Sequence, residues 1–176
     1  MDSGGFVSGN PLDLAAAALG LASTSAYIGA ATFGPAADVI GVPITLDSTG
    51  LPPYPVIVTK SGDLTQWSAS FDTLLAANPG ADLGDPVNIV AALWLAPALT
   101  TTPEDLSDLS FTEIATMDLG EIPTTGTFQT YFGTDTLPTA IPIETGDRLL
   151  VQFYIENTTF AAVATGFHAQ ASLLIV

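Results

Sequence analysis

Thr139-Ala-Ile-Pro-Ile-Glu-Thr-Gly-Asp-Arg-Leu-Leu-Val-Gln-Phe-Tyr-Ile-Glu156 is the stretch on which the fold class turns. Thr139–Ile143 is a short apolar segment. It runs into Thr145-Gly146-Asp147, whose residue types favour a turn, and Arg148–Glu156 follows as a second apolar segment. The pair reads as strand, turn, strand. The same grammar extends in both directions. Ala26–Phe33, Val39–Leu46, Tyr54–Lys60, Leu64–Phe71 and Val87–Leu95 are candidate strands, as are Ser110–Leu119, Phe128–Phe132 and Phe160–Val176. Turn signals separate them: Asp47-Ser-Thr-Gly50, Ser61-Gly62-Asp63, Asn78-Pro-Gly80 and Gly84-Asp85-Pro86. Roughly ten short strands without long intervening helices predict an all-β fold, an antiparallel β-sandwich or jelly roll.

Leu12–Leu21 is the exception. Asn10-Pro11 resembles a helix cap followed by a first helical residue, and the alanines after it are good helix formers. Leu12 and Leu14 alternate as a strand would, so one short N-terminal helix and a strand are both open here. The expected organisation is an N-terminal arm over residues 1–21 and a single jelly-roll domain over residues 22–176.

The chain has 176 residues, enough for one domain with its own core. Charged residues make up only 11%, and Lys60 and Arg148 face 18 acids, for a net charge of −16. Such a chain has no basic stripe for nucleic acid and no polybasic patch for an anionic membrane. The longest apolar run, Val87–Leu99, is 13 residues broken by Asn88 and Pro97, shorter than a membrane-spanning helix. Met1-Asp-Ser-Gly-Gly carries no basic region, so no signal peptide is expected. With no cysteine there is no disulfide, thiol nucleophile or zinc–cysteine site.

Chemistry has few places to sit. His168 is the only histidine, and Thr165-Gly-Phe-His-Ala-Gln170 reads as an alternating strand, which gives it a structural role. No nucleophile elbow and no phosphate-binding glycine loop occurs. Glu104-Asp105 lies in an acidic stretch, Thr100–Asp108, that reads as a solvated loop. Asn157-Thr-Thr159 fits a glycosylation acceptor, a pattern that arises easily by chance. The candidate metal ligands are Asp82 and Asp85, in Asn78-Pro-Gly-Ala-Asp-Leu-Gly-Asp85, where turn carbonyls and two carboxylates would suit calcium. In Lys60-Ser-Gly-Asp63 the glycine is expected to supply a positive φ. Trp67, Phe71 and Trp94 are expected to anchor the core or a subunit interface, and exposure of either tryptophan beside acids would favour a lectin.

Several segments resemble, in chain order, one known family. They are Phe6-Val-Ser-Gly-Asn-Pro-Leu-Asp-Leu14, Tyr27-Ile-Gly-Ala-Ala-Thr-Phe-Gly34, Val56–Phe71, Val87-Asn-Ile-Val-Ala-Ala-Leu-Trp94, Thr139–Phe153 and Gly166–Ile175. Together they are similar to the C-terminal domain of the BclB-type collagen-like exosporium glycoproteins of spore-forming bacteria. The resemblance implies a C1q- or TNF-like jelly roll that trimerises, is displayed on the spore's outer layer and has no enzymatic activity.

Two readings of function follow. The first is a non-enzymatic structural subunit that self-assembles as a homotrimer or filament on a spore or cell exterior. It has no nucleic-acid or membrane partner, and glycans or other surface-layer proteins are its further partners. The alternative is a carbohydrate- or ligand-binding jelly-roll module. Composition supports the first: with so few charges the surface must carry much Ala, Thr, Ser and Gly, and weakly polar surface marks contact sites.

Overall fold

The computed structural model describes residues 5–7, 13–16, 23–29, 33–37, 44–45, 55–100, 109–156 and 160–176. The described residues are almost all strand, with one 3-10 turn at Ala81–Leu83 and no α-helix among them. The strands are β1 (Gly5–Val7), β2 (Asp13–Ala16), β3 (Ser23–Ile28), β4 (Phe33–Ala37), β5 (Ile44–Thr45) and β6 (Val56–Ile57). They continue as β7 (Gly62–Ala77), β8 (Asn88–Ala96), β9 (Ser110–Glu121), β10 (Gly126–Ile143), β11 (Arg148–Ile155) and β12 (Ala162–Ile175).

Two antiparallel sheets pack face to face. The first runs β10, β7, β12, with β1 and β2 sharing the far edge of β12; the second runs β3, β11, β8, β9. Pairing of β2 with β3 at Ala15↔Thr24 and Ala16↔Ser23 carries the ladder round one corner. Successive long strands switch layers from β7 to β8, β9 to β10, β10 to β11 and β11 to β12. That is jelly-roll connectivity. The all-β expectation holds.

The core follows from period-two alternation. Inward residues of β7 and β12, among them Trp67, Phe71, Ala169 and Leu173, meet Ile89, Leu93, Val151 and Phe153 of β8 and β11. Across the layers, Phe71 and Phe153 stack with ring centroids 5.5 Å apart and planes tilted by 44°. The centre of the second sheet is buried on both faces, since all eight residues of β11 are buried. A second cluster on its outer side comprises Tyr27, Val90, Trp94, Phe111, Leu150 and Tyr154 with smaller neighbours.

Burial pushes the Tyr154 phenol up to about 12 from its ordinary 10.0, and the carboxylates of Glu113 and Glu156 add to the shift. A raised phenol pKa means that the neutral form is favoured in the fold. Its stabilisation is complete below pH 10.0 and is lost as pH climbs through about 12. Tyr154→Phe should therefore flatten the fall in unfolding free energy between those values, by about 1–2 kcal/mol after screening of the part-exposed phenol. Equal alkaline slopes for the two proteins would contradict this.

Of the helix and strand readings open over Leu12–Leu21, Asp13–Ala16 takes the strand, because Leu14 is buried in the main core and β2 pairs with Ala162–Thr165 of β12. The rest of Leu12–Leu21 lies outside the described residues, as do 39–43, 101–108 and 157–159. Within residues 1–21, β1 and β2 both pair with β12 in the first sheet. Phe128–Phe132 and Thr139–Ile143 are parts of one strand, β10, whose register against β7 shifts between Thr136 and Ile141. Pro138 falls within that shift, as an edge strand permits. Gly62 is not among the positive-φ glycines, Gly84, Gly120 and Gly146. It is needed instead for close approach, since a Cβ there would lie 2.7 Å from Ile175 Cγ2 and from the Val176 carbonyl oxygen.

The turn at Thr145-Gly146-Asp147 forms as expected, with Gly146 at φ 99°. The buried Asp147 carboxylate holds it: Oδ2 accepts from the Glu144 N–H at 2.8 Å and Oδ1 from the Ala98 N–H at 3.0 Å. Arg148 follows, buried at the start of β11.

Candidate functional site: the outer face of the first sheet

Register alone assembles this face. β7 lies between β10 and β12, so each outward residue of β7 has one neighbour on either side. The rows are Thr130–Asp72–His168, Phe132–Ser70–Gln170, Thr134–Ser68–Ser172 and Thr136–Gln66–Leu174. Beside them, β1 places Val7 next to Gln170 and Gly5 next to Ser172. The inward partners, Trp67, Ala69 and Phe71, seat the sheet on the core and fix which residues face out.

The rows are cross-linked by side chains. The Ser68 and Ser172 hydroxyls share a hydrogen bond of 2.8 Å. Thr130 Oγ1 donates to Asp72 Oδ1 at 2.7 Å, and His168 Nδ1 lies 3.4 Å from Asp72 Oδ2. Asp72 is the only acid in these rows, and it is held from both sides. On the inner side of β10, Tyr131 Oη donates to Gln129 Oε1 at 2.9 Å, and burial raises its phenol pKa. Phe132 stands out of the face at 62% exposure.

The chemistry available here is hydroxyl, amide, one exposed phenyl ring and the single His168–Asp72 pair. Two shallow depressions lie between the strands. One of about 280 Å³ is lined by Gln66, Ser68, Thr134 and Ser172 among others. The second, about 150 Å³, lies between Phe132, Ser70 and Gln170. Both fall below the roughly 300 Å³ at which ligand pockets begin. Nor is Thr130–Asp72–His168 arranged as a nucleophile: the hydroxyl bonds the carboxylate, whereas activation needs it on the imidazole. His168 is part of a cross-strand clamp.

The other sequence candidates lie elsewhere. Asp82 is exposed on the 3-10 turn, and Asp85 Oδ2 accepts from the Phe160 N–H at 3.1 Å. The loop is organised by buried Asn78, whose amide donates to the Asp85 carbonyl at 2.8 Å and accepts from the Gly80 N–H at 3.0 Å. No group of three or more His, Cys, Asp or Glu suited to a metal occurs among the described residues. Trp67 and Trp94 are 1% and 2% exposed, so neither offers the open ring a lectin site would use. Lys60 is exposed at the bend before β7. Sequence reasoning did not find the four rows. Their only signal was the alternation Gln66, Ser68, Ser70, Asp72 against Trp67, Ala69, Phe71, and period alone does not say which strands are neighbours.

No family model matches the chain, and no curated protein does either.

Proposed function

We propose that this protein is a non-enzymatic structural subunit that assembles with copies of itself, as a trimer or filament, on the exterior of a spore or cell. The observation that carries the reading is the near-absence of charge on the outer face of the first sheet in a chain of net charge −16. Copies of such a chain repel one another, so they can meet only where acids are absent or neutralised. This face meets that requirement, because its single acid is bonded to Thr130 and sits beside His168. Identical subunits then close symmetrically or continue as a filament. The exterior location rests on the resemblance to exosporium glycoprotein domains, where glycans and other surface-layer proteins would be further partners.

Light scattering at rising concentration tests the reading. The mass should exceed the 18.0 kDa of one chain. Assembly should also strengthen with salt, as screening shortens the reach of the acids from about 30 Å at 0.01 M to about 8 Å at 0.15 M. A chain that stays monomeric at high concentration and high salt overturns it.

A further inference from the structure

The first sheet ends at β10, an 18-residue strand that pairs with β7 and with no other described strand. The second sheet has a comparable outer strand in β9, joined by β5 only at Ser110 and Phe111. The two edges are defended differently. Along β9 the register is broken twice against β8, and Glu113, Asp118 and Glu121 are exposed. Bulges and charges of this kind keep edges from pairing with other chains. β10 meets β9 through side chains rather than backbone: a Cβ on Gly133 would run into Met117 and Leu119. From Gln129 to Thr136 its register against β7 is unbroken, and Gly126–Thr134 contains no charged residue and no proline. The stretch is bounded on one side by Phe128, at φ 52°, and on the other by Pro138.

We infer that the β10 edge, from Gln129 to Asp135, is a strand-pairing site for the β10 edge of a second copy, antiparallel about a twofold axis at Phe132. The inference rests on the self-assembly reading and narrows it: a twofold contact closes a pair of copies, so it fits a filament that has a second contact elsewhere and does not fit a trimer. A twofold at Phe132 sets Phe132 against Phe132, Thr130 against Thr134 and Gln129 against Asp135. Aromatic pairs and threonine pairs favour antiparallel ladders, and this register brings no two acids opposite each other. Phe132 is exposed in the single chain and would be covered by its twin. Pairing also joins the two outer faces, each with Asp72 as the single acid of its rows, into one sheet across the axis.

A single introduced cysteine is a clean probe, because the chain has none. Phe132→Cys places two thiols at directly opposed positions, within the roughly 4.4–6.8 Å Cα separation a disulfide accepts. Under mild oxidation it should give a covalent dimer, whereas Thr116→Cys on the exposed side of β9 should not. Phe132→Glu sets two like charges opposite each other and should drop the particle mass while leaving the melting temperature unchanged. If the wild-type chain assembles but Phe132→Glu assembles equally, or the Phe132→Cys protein fails to cross-link, the edge is wrong and self-assembly stands. If the wild-type chain is monomeric throughout, the self-assembly reading fails and this inference fails with it.

Discussion

Phe6→Ala is expected to destabilise the fold by about 3–5 kcal/mol, the cost of removing a large side chain from a closed core. Phe6 is 0% exposed, on a strand of only three residues whose partner is Ala171 in β12. Leu14 of β2 enters the same cluster. A domain of this size holds together by about 5–15 kcal/mol, so the loss would lower its melting temperature by about 10 °C. Phe132→Ala, at an exposed position, should change stability by about 0.5 kcal/mol or less. Urea unfolding of the three proteins measures the contrast. Equal midpoints for Phe6→Ala and Phe132→Ala would mean that β1 does not dock in the core. The result also constrains the N-terminal arm. If residues 1–21 act in a neighbouring copy, they must exchange places with their equivalents, since Phe6 needs a core to fill.

The strands were legible where alternation and turn chemistry agree. Trp67–Phe71 alternates cleanly, and its inward Trp67, Ala69 and Phe71 are core residues as the pattern requires. Thr145-Gly146-Asp147 was readable as a turn because glycine takes the positive φ, and the aspartate's reach to Glu144 and Ala98 explains the residue type. Leu12–Leu21 was not decidable, since alanine propensity is weaker than the pull of burying Leu14 beside β12. Phe128–Phe132 and Thr139–Ile143 form one strand across Pro138, since a proline stops a strand only where its missing N–H would have had a partner. The Thr130–Asp72–His168 row was invisible for a different reason. Its members come from three strands, 38 to 58 residues apart in the order β7, β10, β12, and only the pairing of those strands brings them together. One signal was available and unused: Leu149–Ile155 shows almost no polar alternation, which is what a strand buried on both faces should look like.

Gln152 is the one polar side chain in that buried strand segment, and replacing it should have the second large effect. Its Oε1 accepts from Trp94 Nε1 at 3.0 Å and its Nε2 donates to Tyr27 Oη at 2.9 Å. The bonds cross three neighbouring strands, β8, β11 and β3, on the outer side of the second sheet. Gln152→Met keeps nearly the same volume while removing both bonds. Each buried group stripped of a partner costs about 1–3 kcal/mol, so the variant should lose about 2–4 kcal/mol. Trp94→Phe in the same background should recover part of that loss, because the indole N–H that lacks an acceptor is then gone. Gln152→Glu gives the sharper test. The carboxylate still accepts from Trp94, but it has no N–H for Tyr27, and its burial disfavours the charged form. A carboxyl whose folded pKa lies above its unfolded value of about 4.3 loses stability as pH rises. Gln152→Glu should therefore be closest to wild type near pH 4 and fall steadily behind it toward pH 8, read as the difference in urea midpoints. A constant difference across that range would mean that water reaches Gln152, and that the outer cluster around Trp94 is not a sealed second core.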